Sequence, residues 1–166
     1  EHLGFYTVEE LTSIVRRSGK KLAVDLADDA AIEIARRSRG TPRVANARLH
    51  WARNYSAALH DGAITEPVAH AALDKAEVDA DGLDKNDRRY LETLIDVFGG
   101  GPTGVEALAA TMNLAGDTLA DEIEPYLLRE QFIVRSPRGR VVTPRAFTVL
   151  GKAQPKPKPE GPSLFE

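Results

Sequence analysis

The residues best able to do chemistry here are arginines placed where a helix start or a turn would offer them to an anion. The first lies in Arg39-Gly40-Thr41-Pro42-Arg43-Val44-Ala45-Asn46. Gly40 can end the preceding helix, because a residue without a Cβ enters the left-handed region at little cost. Thr41 suits an N-cap and Pro42 the first helical position. Arg43 then falls in the first turn of a new helix, where the macrodipole disfavours a cation. The placement makes sense if backbone N–H groups and the guanidinium hold an anion together; the alternative is a surface arginine paired with a nearby carboxylate. The second set is Arg135, Arg138 and Arg140, flanked by Arg129 and Arg145 and opposed locally only by Glu130. Guanidinium forks match phosphate oxygens in pairs, and Gly139 at the tip would let the turn approach a duplex closely. The alternative is a solvated hairpin whose charges discourage edge-to-edge association.

Other chemistries find little support. The run from Gly99 to Gly104 lacks the Lys-Ser/Thr ending of a phosphate loop and reads as a helix terminator. His2, His50, His60 and His70 lack metal-ligand spacing, so no metal site is expected. The carboxylate pairs Asp28/Asp29 and Asp79/Asp81 are explained as caps and a joint, and no nucleophile–base constellation is visible. There is no cysteine, no secretory leader and no apolar run of membrane-spanning length, which fits a cytoplasmic protein. The first residue is Glu rather than Met, as expected of a processed chain or a fragment. A net charge of −3 argues against bulk electrostatic binding of nucleic acid, so any such binding must be local.

The elements that must hold these residues are mostly helical. Thr7-Val8-Glu9-Glu10 forms a capping box ahead of Leu11, Ile14, Val15 and Leu22. A second helix runs from Asp28 or Asp29 to Ser38. A third begins at Thr41, with Val44, Ala47, Trp51, Tyr55 and Leu59 as its apolar stripe; Trp51 and Tyr55 are read as core. Thr65-Glu66-Pro67 opens a fourth. Asp79-Ala80-Asp81-Gly82 reads as a short flexible joint between domains. Beyond it lie an amphipathic helix from Asp84 to Phe98, a short helix capped by Thr103 and Glu106, and a third capped by Asp117 or Thr118. A hairpin around Ser136-Pro137-Arg138-Gly139 and a last helix from Thr143-Pro144 follow. Three helices and then a hairpin is the order of a winged helix-turn-helix domain. Its recognition helix carries Asp117, Asp121, Glu122 and Glu124, which would repel phosphate, so binding should be directed at the backbone and indifferent to base sequence. From Gly151 the composition is that of a disordered tail.

Several blocks resemble the C-terminal part of the RuvB family, the ATP-driven motors of Holliday-junction branch migration. They include Gly4-Phe5-Tyr6-Thr7, Ala35 to Asn46 around Gly40-Thr41-Pro42-Arg43, Asp87-Arg88-Arg89, Phe98 to Pro102, Glu124-Pro125-Tyr126-Leu127 and Arg135-Ser136-Pro137-Arg138-Gly139-Arg140-Val141. The resemblance implies a mainly α fold: a four-helix AAA+ lid over residues 1–80, a winged-helix domain with one β-hairpin over 84–150, and a tail over 151–166. It implies that Tyr6 lies near a nucleotide base, that Arg43 is a sensor-2 residue on ATP or ADP with Mg2+, and that Arg135 and Arg140, joined by Arg138, contact duplex DNA. RuvA and RuvC are the partners it implies, a homohexamer the assembly, and recombination, repair and the SOS response the setting. No Walker A or Walker B motif is present, so this stretch alone is expected not to hydrolyse ATP. Leu114-Ala115-Gly116-Asp117 stands where many members have an arginine at the start of the recognition helix, and the arginines after the sensor-2 position are thinned to Arg48 and Arg53. The competing reading is a stand-alone winged-helix regulator without ATPase activity.

Overall fold

The computed structural model describes residues 5–154. The chain divides into two units, one ending at Arg88 and the other beginning at Arg89. The fold is mainly helical with a single two-stranded antiparallel hairpin among the described residues, the class expected from the sequence.

In the first unit, α1 (Val8–Lys21) opens on the expected capping box: Glu10 N–H donates to Thr7 Oγ1 at 3.2 Å, and Thr7 N–H to the Glu10 carboxylate at 2.8 Å. Helices α2 (Asp28–Arg36), α3 (Pro42–Leu59) and α4 (Glu66–Lys75) complete the bundle. Its core joins Leu11, Val15, Ile34, Leu49, Ile64 and Leu73 with a larger set of alanines, whose small side chains let the helices approach closely. The buried stripe of α3 is Ala45, Arg48, Leu49, Ala52 and Ser56, not the expected Val44–Ala47–Trp51 row. Trp51 is 43% exposed, with its indole N–H on the Ala72 carbonyl at 2.6 Å. Large side chains misled the reading, because the tight helix contact selects the small ones. Helix α2 is capped by Ala27 without a side-chain bond, so Asp28 and Asp29 lie in its first turn, and Asp28 pairs with Arg16 at 2.9 Å. The acidic stretch expected to be a flexible joint is a bonded turn. Asp79 Oδ1 accepts from the N–H groups of Asp81 at 3.0 Å and Leu83 at 2.9 Å, and Oδ2 holds Arg88 at 2.5 Å.

Helix α5 (Lys85–Asp96) starts with Asp84 Oδ1 accepting from the Asn86 and Asp87 N–H groups at 2.8 and 3.1 Å. The Asp87 side chain is fully buried and accepts from Arg39 and from the Asp84 N–H. Burial pushes its pKa up against the pull of the Arg39 and Arg48 guanidiniums, and neighbouring Asp84 adds to the rise, giving about 7.

The second unit contains α6 (Val105–Met112), α7 (Gly116–Thr118), a π-helical turn over Leu119–Ile123, α8 (Glu124–Arg129), β1 (Ile133–Ser136), β2 (Gly139–Val142) and α9 (Pro144–Val149). Gly104 and Ala115, not Thr103 and Asp117, occupy the cap positions of α6 and α7, without side-chain bonds. The π turn replaces the regular helix expected there. Pro125 accounts for it, since its ring lacks an N–H and would collide with a carbonyl one turn back in a regular helix. The hairpin pairs Ile133 with Val142 and Arg135 with Arg140. Thr103 adds a bridge on the other side of β2, exchanging backbone bonds with Arg140 at 3.0 and 2.8 Å. Two glycines permit that approach. A Cβ on Gly101 would stand 2.2 Å from the Arg140 carbonyl oxygen, and one on Gly139 would stand 2.3 Å from that of Thr103. Gly139 therefore serves the packing of the hairpin against Thr103. The tail assigned from Gly151 is tied at its start: Lys152 N–H reaches the Phe147 carbonyl at 2.9 Å, and its ammonium pairs with Asp96 at 2.5 Å. The Pro-Lys repeat from Pro155 lies outside the described residues.

Both features have measurable consequences. Gly139→Ala adds a colliding Cβ at a φ of +131° and is expected to destabilise the second unit by about 2–4 kcal/mol in urea melts. Asp87, with its folded pKa raised from 3.8 to about 7, favours the folded state fully below pH 4, and that contribution is lost as pH rises through 7. Urea melts from pH 4 to 8 should show stability falling over this window, and Asp87→Asn should flatten the profile.

Candidate nucleotide and nucleic-acid contacts

In the first unit the chain turns from α2 to α3 through two successive left-handed residues, Arg39 (φ 57°) and Gly40 (φ 64°). The Tyr6 N–H donates to the Gly40 carbonyl at 2.9 Å, so the segment before α1 is fastened to the turn that precedes Arg43. Thr41 is the N-cap of α3 by position, but its hydroxyl donates back to the Arg39 carbonyl at 3.2 Å and leaves the helix N–H groups uncapped by side chains. Pro42 stands in the first turn as expected.

The arginines around this turn divide sharply by partner. Arg36 and Arg37 both reach the buried Glu33, at 2.9 and 2.6 Å. Burial pushes the Glu33 carboxyl up, but the bonds from the two guanidiniums outweigh it and hold it below its usual range. Arg37 also binds Asp74 at 2.8 Å, the Val78 carbonyl at 2.9 Å and His70 Nδ1 at 2.7 Å, so His70 has a structural place that its spacing did not reveal. Arg39 holds Asp84 at 2.6 Å as well as Asp87. Arg43 is exposed and makes no hydrogen bond or ion pair with any described residue, so the surface pairing weighed as an alternative is not formed. It borders an open groove of about 480 Å3, with Ala47, Trp51, Val78 and Asp84 among the lining residues. Asp84, the acid of that groove, is already committed to Arg39.

In the second unit the hairpin arginines meet a carboxylate that sequence proximity did not suggest. Glu124, at the start of α8, has no solvent exposure. Its Oε1 accepts from the Tyr90 hydroxyl at 3.0 Å and Arg140 Nε at 2.8 Å. Its Oε2 accepts from Arg135 Nε and Nη2 at 3.2 and 2.6 Å, and from Arg140 Nη2 at 3.1 Å. Burial alone would raise the Glu124 pKa. The bonds from Arg140, Arg135 and Tyr90 more than offset this, so its carboxyl stays below the usual range, while burial and the same charge push the Tyr90 phenol up. Glu124 is thus removed from the acids expected to repel phosphate; Asp117, Asp121 and Glu122 are exposed. The Arg135 side chain remains 51% exposed, with Nη1 unused within the described residues, whereas Arg140 is 17% exposed. Arg138, at the turn, is exposed and makes no ion pair with a described residue. Glu130 is engaged elsewhere, with Arg129 at 3.0 Å and Arg145 at 3.5 Å. Among the described residues no group of three or more His, Asp or Glu side chains is arranged to hold a metal, and no helix is long and apolar enough to cross a membrane.

Comparison with known proteins shows the family of the chain as a whole. Residues 6–79 match the RuvB AAA lid domain, and residues 80–151 match the RuvB C-terminal winged helix domain. The Holliday junction branch migration complex subunit RuvB of Rhodopirellula baltica is 50% identical over 155 residues, which cover 93% of this chain and 42% of that protein. The Thermotoga maritima RuvB Holliday junction branch migration motor superposes with a TM-score of 0.89 at 40% identity, over 92% of this chain and 51% of that one. A variant of that motor gives the same score at 39% identity, with the same coverage. The chain therefore spans about half the length of these relatives or less. It belongs to the RuvB family, of which it carries the AAA lid and the C-terminal winged-helix domain.

Proposed function

We propose that this chain is the lid and DNA-contacting portion of an ATP-dependent Holliday-junction branch-migration motor, acting in recombination and repair. The relative from Rhodopirellula is named a subunit of such a complex, and the Thermotoga relative such a motor. The observation that carries the reading is the contrast among arginines: Arg36, Arg37 and Arg39 are absorbed by carboxylates, and Arg43 stands exposed at a helix start without one. A cation left open at the positive end of an 18-residue helix fits an anion held there.

In this reading residues up to about 80 act as the lid and residues from about 84 to 150 as the DNA-binding domain. Arg43 and Tyr6 would hold ATP or ADP with Mg2+, together with an ATPase domain outside the given sequence, since no Walker A or Walker B motif lies within it. The nucleotide supplies the phosphoryl-transfer energy; Arg43 senses its phosphate charge. On the hairpin, Arg135 and Arg138 offer guanidinium N–H groups to duplex phosphates, and Arg140 supports them from a more enclosed position. The exposed acids Asp117, Asp121 and Glu122 disfavour reading of bases, which suits a motor that must pass any sequence. Assembly as a homohexamer working with RuvA and RuvC belongs to the same proposal.

Two experiments test it. In a chain that includes the ATPase domain, Arg43→Ala is expected to abolish ATP turnover with the lid's thermal melt unchanged; wild-type turnover would remove the assignment. In the 166-residue chain, Arg135→Ala and Arg138→Ala should weaken binding to unrelated duplexes alike, each lowering the slope of log K against log salt by roughly one. Strong preference for a single operator sequence would favour a regulator instead.

A further inference from the structure

We propose that Glu124 is a positioning residue for duplex DNA: its buried carboxylate fixes the hairpin arginines in the orientation that meets phosphate. The proposal rests on the reading of the hairpin as a DNA contact, and gives a role to an acid that charge alone would count against binding. One carboxylate, with no exposure, receives Nε and Nη2 of both Arg135 and Arg140. These two residues face each other across the hairpin, so a single anion clamps both strands. An arginine loses much rotamer freedom when it binds phosphate. Arg135 has already lost it to Glu124, with the Nη1 side of its fork still available and half of the side chain exposed. The Tyr90 hydroxyl holds the carboxylate from the far side at 3.0 Å, and the backbone bridge from Thr103 fixes Arg140.

Electrostatics and positioning predict opposite signs, which makes the test decisive. Glu124→Gln removes one negative charge close to the contact. If Glu124 acted only through its charge, duplex affinity would rise. If it positions the arginines, affinity falls, by an expected threefold or more, and the salt slope falls by about one as a phosphate contact is lost. Binding of the 166-residue chain to two unrelated duplexes by fluorescence anisotropy over a salt series reads both quantities. Combined with Arg135→Ala, the loss from Glu124→Gln should be less than additive, because the two act on one contact. Unchanged or tighter binding by Glu124→Gln overturns the inference.

Should Glu124→Gln fail to fold, Tyr90→Phe decides the matter. It leaves every charge in place and releases one side of the carboxylate, so weaker binding supports positioning and unaltered binding overturns it. Arg138→Ala, measured in parallel, separates the two claims. If neither it nor Arg135→Ala changes affinity, the hairpin is not the DNA contact and the underlying reading fails; if either weakens binding while Glu124→Gln does not, the positioning inference alone fails.

Discussion

A carboxylate cut off from water must be compensated, and the second unit is arranged to do that for Glu124. Removing an ion from solvent costs several kcal/mol, recovered only when its lone pairs are filled with good geometry. Here a phenol and two guanidiniums fill them, drawn from α5, β1 and β2. The demand runs outward from that point. Arg140 can reach the carboxylate only while β2 stays in register with β1, and β2 is held by the backbone of Thr103, which approaches only because Gly101 and Gly139 lack a Cβ. The widened turn before Pro125 precedes Glu124 directly. A short hairpin of two four-residue strands would be marginal by itself; ionic and steric constraints together make it a defined surface.

The first unit solves the opposite problem. It absorbs most of a run of arginines in carboxylates and leaves Arg43 without one. Glu33 takes Arg36 and Arg37, and Asp84 and Asp87 take Arg39. The left-handed pair Arg39–Gly40 redirects the chain between the absorbed arginines and the open one, and the Tyr6 backbone bond fixes that turn from the other side. Position along the chain therefore matters less than which side of the turn a guanidinium leaves.

Much of this was legible in the sequence where local chemistry is short in range. The Thr7–Glu10 box, the Pro-led starts of α3, α4 and α9, and the glycine-punctuated hairpin all formed where residue types demanded them. What failed were inferences that needed a tertiary partner. Trp51 looked like core because it is large, yet the buried stripe of α3 was chosen by the alanines of its neighbours. Thr103 looked like a cap and became a strand partner. Glu124 sat in the Glu-Pro-Tyr-Leu block and was counted among repelling acids, since nothing local shows that a residue eleven positions before Arg135 will face it across the fold. One signal could have found it: an acid on the inward side of a helix whose neighbours Ile123 and Leu127 are apolar must have a cation to meet.

In the proposed reading, that pairing also bears on how a chain of net charge −3 would bind a polyanion. Long-range attraction is weak, so affinity must come from a few well-placed contacts, and each contact that orders a flexible arginine gives back part of its gain as entropy. Fixing the guanidiniums beforehand would remove that loss, at the expense of some positive potential. The exchange would suit the proposed motor, which would have to release and re-engage DNA repeatedly. A modest, geometry-dependent contact supports selectivity for the backbone without the tight, salt-driven grip of a strongly basic surface. In the same reading the exposed acids Asp117, Asp121 and Glu122 would act in the same direction, weakening any base-specific hold.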